Sequence, residues 1–200
     1  MKPEITVFAG PNGSGKSTIT EILKPTYFYS NADDYQRVTN CTAIDAAMYV
    51  EKQRCDLIKE LKNFCFETVL STDRYLNMLR YAKNHGYFIK AYFVLTSDPI
   101  INVMRVAARV ATGGHDVPED KIISRYYKSL DLLKELIDTV DICHVYDNST
   151  DKIKRIYKKG LHGSWYCDTA SDYWSKQAIL MLTNDYAAIY ACLLYTSPSP

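Results

Sequence analysis

The clearest chemical signal in this sequence is the run Gly10-Pro11-Asn12-Gly13-Ser14-Gly15-Lys16-Ser17. It matches the pattern G-x-x-x-x-G-K-[ST], in which backbone N–H groups of a glycine-rich loop surround phosphate oxygens. In such loops the lysine reaches the β- and γ-phosphates, and the final hydroxyl is a ligand of Mg²⁺. We therefore predict a binding site for a nucleoside triphosphate, with Ser17 on the metal, formed by Gly10, Pro11, Asn12, Gly13, Ser14, Gly15, Lys16, Ser17 and Thr18. The alternative is a glycine-rich turn between a strand and a helix.

Two adjacent acids form the second candidate, because Asp33 and Asp34 follow a short strand-like run that ends at Ser30. In an open α/β sheet, ligands bind at the end of such strands. A carboxylate there can accept the proton of an attacking hydroxyl, position that hydroxyl, or order Mg²⁺ through water. The alternative is an Asx turn with a helix N-cap, which Asn and Asp also favour.

A third candidate is Glu67, which interrupts the apolar run Phe64-Cys65-Phe66 and is followed by Thr68. A buried acid is costly unless it has a partner or a ligand. Glu67 can therefore hydrogen-bond a substrate hydroxyl or help to hold the metal, and we assign Glu67 and Thr68 to substrate binding. A structural salt bridge or a strand-end cap is the alternative.

The fourth candidate is a basic segment of about residues 105–128 that contains Arg105, Arg109 and Arg125. The first two arginines stand at i and i+4, so they share one helical face and can both reach phosphate oxygens. The break at Gly113-Gly114 is typical of a mobile lid between two helices. Arginines in a lid would stabilise the charge of a phosphoryl-transfer transition state, whereas the alternative is a solvated helix face.

The elements that must position these residues alternate between short apolar runs and longer helical patterns, which predicts a mostly parallel sheet covered by helices. We expect an α/β fold of the P-loop NTPase type, a three-layer αβα sandwich with a helical lid, in one domain over residues 1–191. The predicted strands are 4–9, about 27–30, 64–70, 87–96 and 142–146, and the predicted helices are about 16–24, 43–63, 73–84, 98–111 and 119–139.

Composition restricts the setting of this domain. A formal net charge of +1 gives no reason to expect bulk binding to nucleic acid. Six cysteines without C-x-x-C spacing indicate reduced thiols, and no apolar run approaches the roughly 20 residues of a membrane span. We therefore expect a cytoplasmic protein without a signal peptide or a membrane contact. Residues 192–200 resemble a translated sequencing adapter, so we expect them to be no part of the natural chain.

Taken in order, the phosphate loop, the Asn-Ala-Asp-Asp-Tyr segment, the Phe-Glu-Thr strand, Gly86-Tyr87 and the arginine-containing lid resemble the zeta-toxin family of P-loop kinases. The resemblance covers about residues 4–149 and is greatest to compact zeta-toxin-like members described as AAA-type ATPases. It implies that ATP and Mg²⁺ are used to phosphorylate a hydroxyl of a small-molecule acceptor. In the toxins this acceptor is UDP-N-acetylglucosamine, and a protein antitoxin is the expected partner.

Carried over by position, the resemblance implies that Lys16 holds phosphates, Asp33 is the catalytic base, Glu67 contacts the sugar nucleotide and Arg109 supplies the lid charge. Asp34 lies one residue past the base and is a weaker candidate on the substrate side.

This chain departs from the family at His115, which stands where the toxins carry a second lid arginine. A neutral imidazole does not replace a guanidinium at pH 7. Arg125 or Arg105 is therefore expected to supply that charge, unless the chemistry differs.

Three functions remain open from the sequence. The first is a zeta-toxin-type kinase. The second is a kinase with another acceptor, such as a nucleoside, a sugar or an RNA end. The third is an ATPase switch whose hydrolysis no acceptor accelerates.

Overall fold

A mostly parallel sheet forms the centre of the computed structural model, which describes residues 2–23, 25–114, 116–166 and 173–183. Within these residues the strand order is β2-β3-β1-β4-β5-β6-β7. Strands β1 to β5 pair in parallel, whereas β6 pairs antiparallel with β5 and with β7. The bounds are β1 Glu4–Ala9, β2 Phe28–Tyr29, β3 Phe64–Thr68, β4 Phe88–Leu95, β5 Ile142–Asp147, β6 Lys154–Gly160 and β7 Gly163–Tyr166.

Helices cover both faces of this sheet, as the sequence predicts. Their bounds are α1 Lys16–Leu23, α2 Ala32–Thr39, α3 Ala43–Lys59, α4 Arg74–Asn84, α5 Pro99–Ala111, α6 Glu119–Asp131, α7 Leu133–Thr139 and α8 Lys176–Thr183. The predicted three-layer α/β sandwich is confirmed. None of the helices in the described ranges is long and apolar enough to cross a bilayer.

The central strand β1 shows why the sheet must be covered on both sides. Its side chain Phe8 packs with Ile19 of α1 on one face. Ile5 and Val7 point to the opposite face, where they join a larger cluster that includes Leu76 of α4. Each of these side chains is at most 4% exposed. Full burial of an apolar side chain of this size contributes about 1.5–3 kcal/mol, so both helical layers are required.

Several elements differ from the sequence-based prediction. Helix α2 was not predicted because no residue in it is buried, and it therefore lacks the apolar periodicity of a packed helix. Its ends are set by polar caps instead: Asn31 accepts from a backbone N–H at the start, and Asn40 adopts a φ of 53° at the end. The helix predicted over 119–139 is interrupted at Leu132 and forms α6 and α7. Strands β6 and β7 and helix α8 were also missed.

Other boundaries shift by a few residues. The helix predicted to reach residue 63 ends at Lys59, and Leu61 follows in a turn with a φ of 55°. His115 and residues 192–200 lie outside the described residues, so the expectations about them stay predictions.

Candidate functional site

The glycine-rich loop leaves the sheet at its topological switch point. It follows β1, which lies between β3 and β4, so the chain crosses to either side of the loop. Ligands of open α/β sheets bind in the crevice at this point. The loop leads directly into α1, which begins at Lys16. The phosphate-binding position predicted from the motif is therefore at the N-terminal end of a helix, where backbone N–H groups favour an anion.

Two asparagine side chains hold this loop in place. The amide of Asn102 in α5 donates to the carbonyl oxygen of Asn12 at 2.7 Å, and the amide of Asn148 after β5 donates to that of Ser14 at 2.8 Å. A Cβ on Gly15 would lie 2.2 Å from Nδ2 of Asn148, and the φ of Gly15 is +96°. Only glycine fits there, because the neighbouring amide occupies the space and the backbone is left-handed.

Sequence reasoning did not assign either asparagine a role. The available signal for Asn102 was a polar residue on the apolar face of α5, where it is 0% exposed. A buried amide must find hydrogen-bond partners, so its position in that helix indicated a contact with another segment.

Lys16 is held inside the loop by two of its carbonyl oxygens. Its Nζ donates to Gly10 at 2.8 Å and to Pro11 at 2.9 Å. The pKa of the Lys16 ammonium is lowered to about 8, chiefly by burial; nearby Glu67 opposes this shift and Arg109 adds to it. The ammonium therefore has both a carboxylate and a lid guanidinium near it, in the cavity wall where a phosphate chain would be bound.

Glu67 contacts the same helix. The sheet register places it beside Phe8 of β1, close to the loop. Its two carboxylate oxygens accept from Ser17 at 3.3 Å and from Thr20 at 2.8 Å. Of the roles that the sequence left open for Glu67, these contacts favour the metal side, because the carboxylate adjoins the predicted Mg²⁺ ligand Ser17. Thr20 was not predicted to take part.

These oxygen donors fit Mg²⁺. Within the described ranges, no group of three or more His, Cys, Asp or Glu side chains could hold a metal ion. Mg²⁺ does not require such a group, because it keeps several waters and is usually held by one or two protein oxygens together with substrate phosphates. Ser17, with Glu67 at its side, is a donor set of that kind.

The two neighbouring acids occupy different environments. Asn31 caps α2 by accepting from the backbone N–H of Asp33 at 2.9 Å, so the predicted Asx cap exists. The side chain of Asp33 nevertheless lines a cavity together with Lys16. Asp34 forms an ion pair with Arg37 and does not line that cavity. The geometry therefore separates Asp33, which faces the loop, from Asp34.

This cavity, which we call the loop cavity, has a volume of about 670 Å³ and brings most of the candidate residues together. Its wall includes Glu67 and Thr68 as well as the three basic side chains of α5 and α6, Arg105, Arg109 and Arg125. Of the loop itself, the wall is formed by Asn12, Gly13, Gly15, Lys16 and Ser17, whereas Gly10, Pro11, Ser14 and Thr18 lie behind or beside it.

The three arginines differ in exposure. Arg109 is exposed, while Arg105 and Arg125 are half-buried. The Nη1 atom of Arg105 is buried and has no hydrogen-bond partner among the described residues. A buried donor of this kind is costly, and an anion in the cavity would satisfy it. Arg105 and Arg125 both line the cavity, so each stays a candidate for the second lid charge.

The lid segment is a pair of helices joined by a short turn. Helix α5 ends at Ala111, the N–H of Gly114 donates to the carbonyl oxygen of Arg109 at 3.0 Å, and α6 begins after Pro118. On α6, the hydroxyl of Tyr126 donates at 2.5 Å to the carbonyl oxygen of Thr96, just after β4. The base of this helix pair is therefore attached to the edge of the sheet where the loop lies.

Comparison with known proteins supports the architecture. No protein-family model matches the sequence. A protein of Haemophilus influenzae described as an uncharacterized protein is 28% identical over 142 residues, covering 63% of this chain and 94% of that protein.

Two solved structures show the fold. The PezAT chromosomal toxin-antitoxin system of Streptococcus pneumoniae matches with a TM-score of 0.59 and 17% identity, over 95% of this chain and 86% of the other. The AvrRxo1-ORF1:AvrRxo1-ORF2 complex with sulphate ions matches with a TM-score of 0.70 and 10% identity, over 91% and 64% of the two chains. This chain shares the fold of these two structures, which agrees with the fold that the order of its motifs predicts.

Proposed function

We propose that this chain is a kinase that transfers the γ-phosphoryl group of ATP, with Mg²⁺, to a hydroxyl of a small-molecule acceptor. The observation that carries the proposal is the composition of the loop cavity, whose wall contains Lys16, Asp33, Glu67 and the lid arginines. Phosphoryl transfer requires positioning of two substrates and stabilisation of negative charge, and little covalent chemistry from the protein. The fold match to a structure of the AvrRxo1-ORF1:-ORF2 complex with ATP is consistent with ATP as the donor.

The phosphate loop would bind the donor. Its backbone N–H groups and the Lys16 ammonium would hold the β- and γ-phosphates, and Ser17 with Glu67 would hold Mg²⁺. When bound, Mg²⁺ supplies positive charge that neutralises the phosphate oxygens. The hydrogen bonds from Asn102 and Asn148 fix the loop beforehand, so less order has to be imposed on binding.

Asp33 would act on the acceptor. Asp33 lines the cavity and follows β2, the edge strand next to β3, which carries Glu67. There it can accept the proton of the attacking hydroxyl or orient it. Arg105, Arg109 and Arg125 would stabilise the charge that develops on the transferred group, which is the role of arginine fingers in other phosphoryl-transfer enzymes.

For the acceptor we propose a UDP-amino sugar of the UDP-N-acetylglucosamine type. The support is the resemblance of the ordered motifs to zeta toxins and a loop cavity of about 670 Å³, which lies within the usual range of ligand sites. In this proposal Glu67 and Thr68 contribute to the acceptor side of the wall as well. Thr68 is held rigidly, since its hydroxyl accepts from the N–H of Leu70 at 3.0 Å.

The test is to incubate the protein with Mg²⁺ and ATP and a panel of acceptors, and to follow phosphate transfer by mass spectrometry. The panel contains UDP-N-acetylglucosamine, other nucleotide sugars, nucleosides and short RNAs. A phosphorylated UDP-amino sugar that is absent with Lys16→Ala is the expected product. Transfer to another member of the panel would support the kinase activity and contradict the proposed acceptor. Formation of ADP with no phosphorylated acceptor would favour an ATPase switch and contradict the proposal.

A protein antitoxin is the partner we propose. Two of the matching structures are described as a toxin-antitoxin system and as a complex of two proteins. A neutralising protein would have to cover the loop cavity or hold the lid segment away from it. In a complex with a candidate antitoxin, phosphate transfer should then be abolished, and an unchanged transfer rate in the complex would argue against this mode.

A further inference from the structure

Arg54 is a buried cation that sequence reasoning did not identify. It lies on α3, is 4% exposed and lines the loop cavity. Its Nε donates to the hydroxyl of Ser30 at 2.9 Å, and its Nη2 donates to the carbonyl oxygen of Ser30 at 2.7 Å. Both acceptors are neutral. A guanidinium has five N–H groups, so Ser30 uses two of them and the Nη1 end is not engaged by Ser30.

Aromatic side chains provide the rest of the surroundings, and Tyr75 also forms a side-chain hydrogen bond with the guanidinium. The guanidinium carbon lies 4.4 Å from the ring centre of Phe66 and 5.5 Å from that of Tyr75. Among the described residues, none of the ion pairs includes Arg54. Cation–π contacts recover only part of the hydration that a buried charge loses. Burial accordingly lowers the pKa of the Arg54 guanidinium from its ordinary value.

The position of Arg54 places it away from the donor phosphates. The lid arginines belong to α5 and α6, which follow β4 on one side of β1, whereas Ser30 follows β2, the edge strand on the other side of β1. Ser30 is fixed to this edge, because its N–H donates to the carbonyl oxygen of Cys65 at 2.8 Å. Asp33 is three residues farther along the chain. Arg54 and Asp33 therefore flank the same side of the cavity, which is the acceptor side in the proposed reaction.

The nearby carboxylates do not neutralise this charge. Glu67 accepts from Ser17 and Thr20 on the metal side, and none of the ion pairs found in the described ranges joins it to Arg54. Asp33 is an exposed side chain and forms none of the ion pairs found in the described ranges. The hydrogen-bond partners Ser30 and Tyr75 hold the planar guanidinium but carry no counter-charge, so an oxyanion in the cavity would supply the charge that Arg54 lacks.

We propose that Arg54 binds a phosphate group of the acceptor. This inference rests on the proposed kinase function and deepens it, because it restricts the acceptor to molecules that already carry a phosphate or diphosphate. Neutral nucleosides and free sugars, which the sequence left open as acceptors, would leave the buried guanidinium without a counter-charge.

The test measures acceptor binding by calorimetry with the phosphate loop saturated by Mg²⁺ and a non-hydrolysable ATP analogue. The probes are N-acetylglucosamine 1-phosphate, UDP-N-acetylglucosamine and neutral N-acetylglucosamine. Arg54→Met keeps the packing on Phe66 and removes the charge. We expect it to weaken binding of the two phosphorylated probes by about 10- to 100-fold, the loss typical of a charged hydrogen bond, and to leave the neutral probe unchanged. Equal losses for all three probes, or no loss, would overturn the inference.

Two further measurements keep the test decisive. Arg54→Lys retains a positive charge and is the variant to use if Arg54→Met does not fold. Because lysine lacks the planar fork of the guanidinium, this variant should bind the phosphorylated probes about 10-fold more weakly. Pyrophosphate, added to the analogue-saturated protein, tests the site without any assumption about the sugar. If amino sugars are not phosphorylated but pyrophosphate binding depends on Arg54, the acceptor proposal fails and this inference stands. In the phosphate-transfer assay, a lower kcat of Arg54→Met with an unchanged KM for every acceptor would mean that Arg54 only positions the Ser30 segment.

Discussion

The pKa of Lys16 gives a prediction whose size follows from the structure. Burial lowers this pKa to about 8, and bound phosphates should return it towards the ordinary value of 10.5. The free protein therefore loses the Lys16 proton as the pH rises through 8, while the nucleotide complex keeps it. Because the charged form binds phosphate, linkage predicts an affinity for nucleotide that falls about tenfold between pH 7 and pH 9, or about 1.4 kcal/mol.

Isothermal titration with Mg²⁺ and a non-hydrolysable ATP analogue measures this effect directly. In two buffers of different ionisation enthalpy, binding at pH 9 should take up nearly one proton, compared with about one tenth of a proton at pH 7. Lys16→Met removes the titrating group and should abolish the difference, whereas Asp33→Asn should retain it. An affinity that is flat from pH 7 to pH 9, without proton uptake in the unaltered protein, would refute the assigned environment of Lys16.

Two other predictions concern the loop and the lid. Gly15→Ala should abolish nucleotide binding and lower the thermal midpoint, because the new Cβ would lie 2.2 Å from Nδ2 of Asn148. Gly86→Ala is the control, since Gly86 has a φ of +83° and nothing lies within 4 Å of its Cβ position. This control should lose about 1 kcal/mol of unfolding free energy and keep its nucleotide binding. Equal losses of stability in Gly15→Ala and Gly86→Ala, with nucleotide binding kept in both, would mean that the contact with Asn148 does not matter and that the positive φ alone explains the loss. Arg105→Leu should reduce phosphate transfer at least tenfold without lowering the thermal midpoint, since the buried Nη1 has no hydrogen-bond partner among the described residues. Arg109→Ala should lower the transfer rate more than the ATP affinity. A lower thermal midpoint with unchanged transfer would make Arg105 structural.

The parallel core and the phosphate loop could be predicted because each carries a local signal. Strands β1, β3 and β4 are short apolar runs, and the loop pattern fixes the position of Lys16 and Ser17. Helix α2 carries no such signal, because its ends are set by Asn31 and Asn40 and none of its residues is buried. The antiparallel strands β6 and β7 contain charged and exposed residues that hide their alternation.

The site was predictable in its parts, but its contacts were not. Sequence spacing pointed to Asp33 and Glu67 separately, whereas the contact of Glu67 with Thr20 depends on the register between β1 and β3. Arg54 and Asn102 lie within helical patterns, so their sequence positions suggest only a helix face. Their roles arise from burial next to the cavity, which is a property of the assembled fold.

The most direct test of phosphoryl transfer by this protein is single-turnover transfer from γ-labelled ATP to UDP-N-acetylglucosamine, with Asp33→Asn as the matched variant. We expect label on the sugar nucleotide with the unaltered protein. For Asp33→Asn we expect a rate at least about 100-fold lower and an ATP affinity within about twofold. Asp34→Asn removes the neighbouring carboxylate, and a larger loss in that variant would move the base role to Asp34. ADP formation without labelled acceptor, or equal rates for the unaltered protein and Asp33→Asn, would contradict the account.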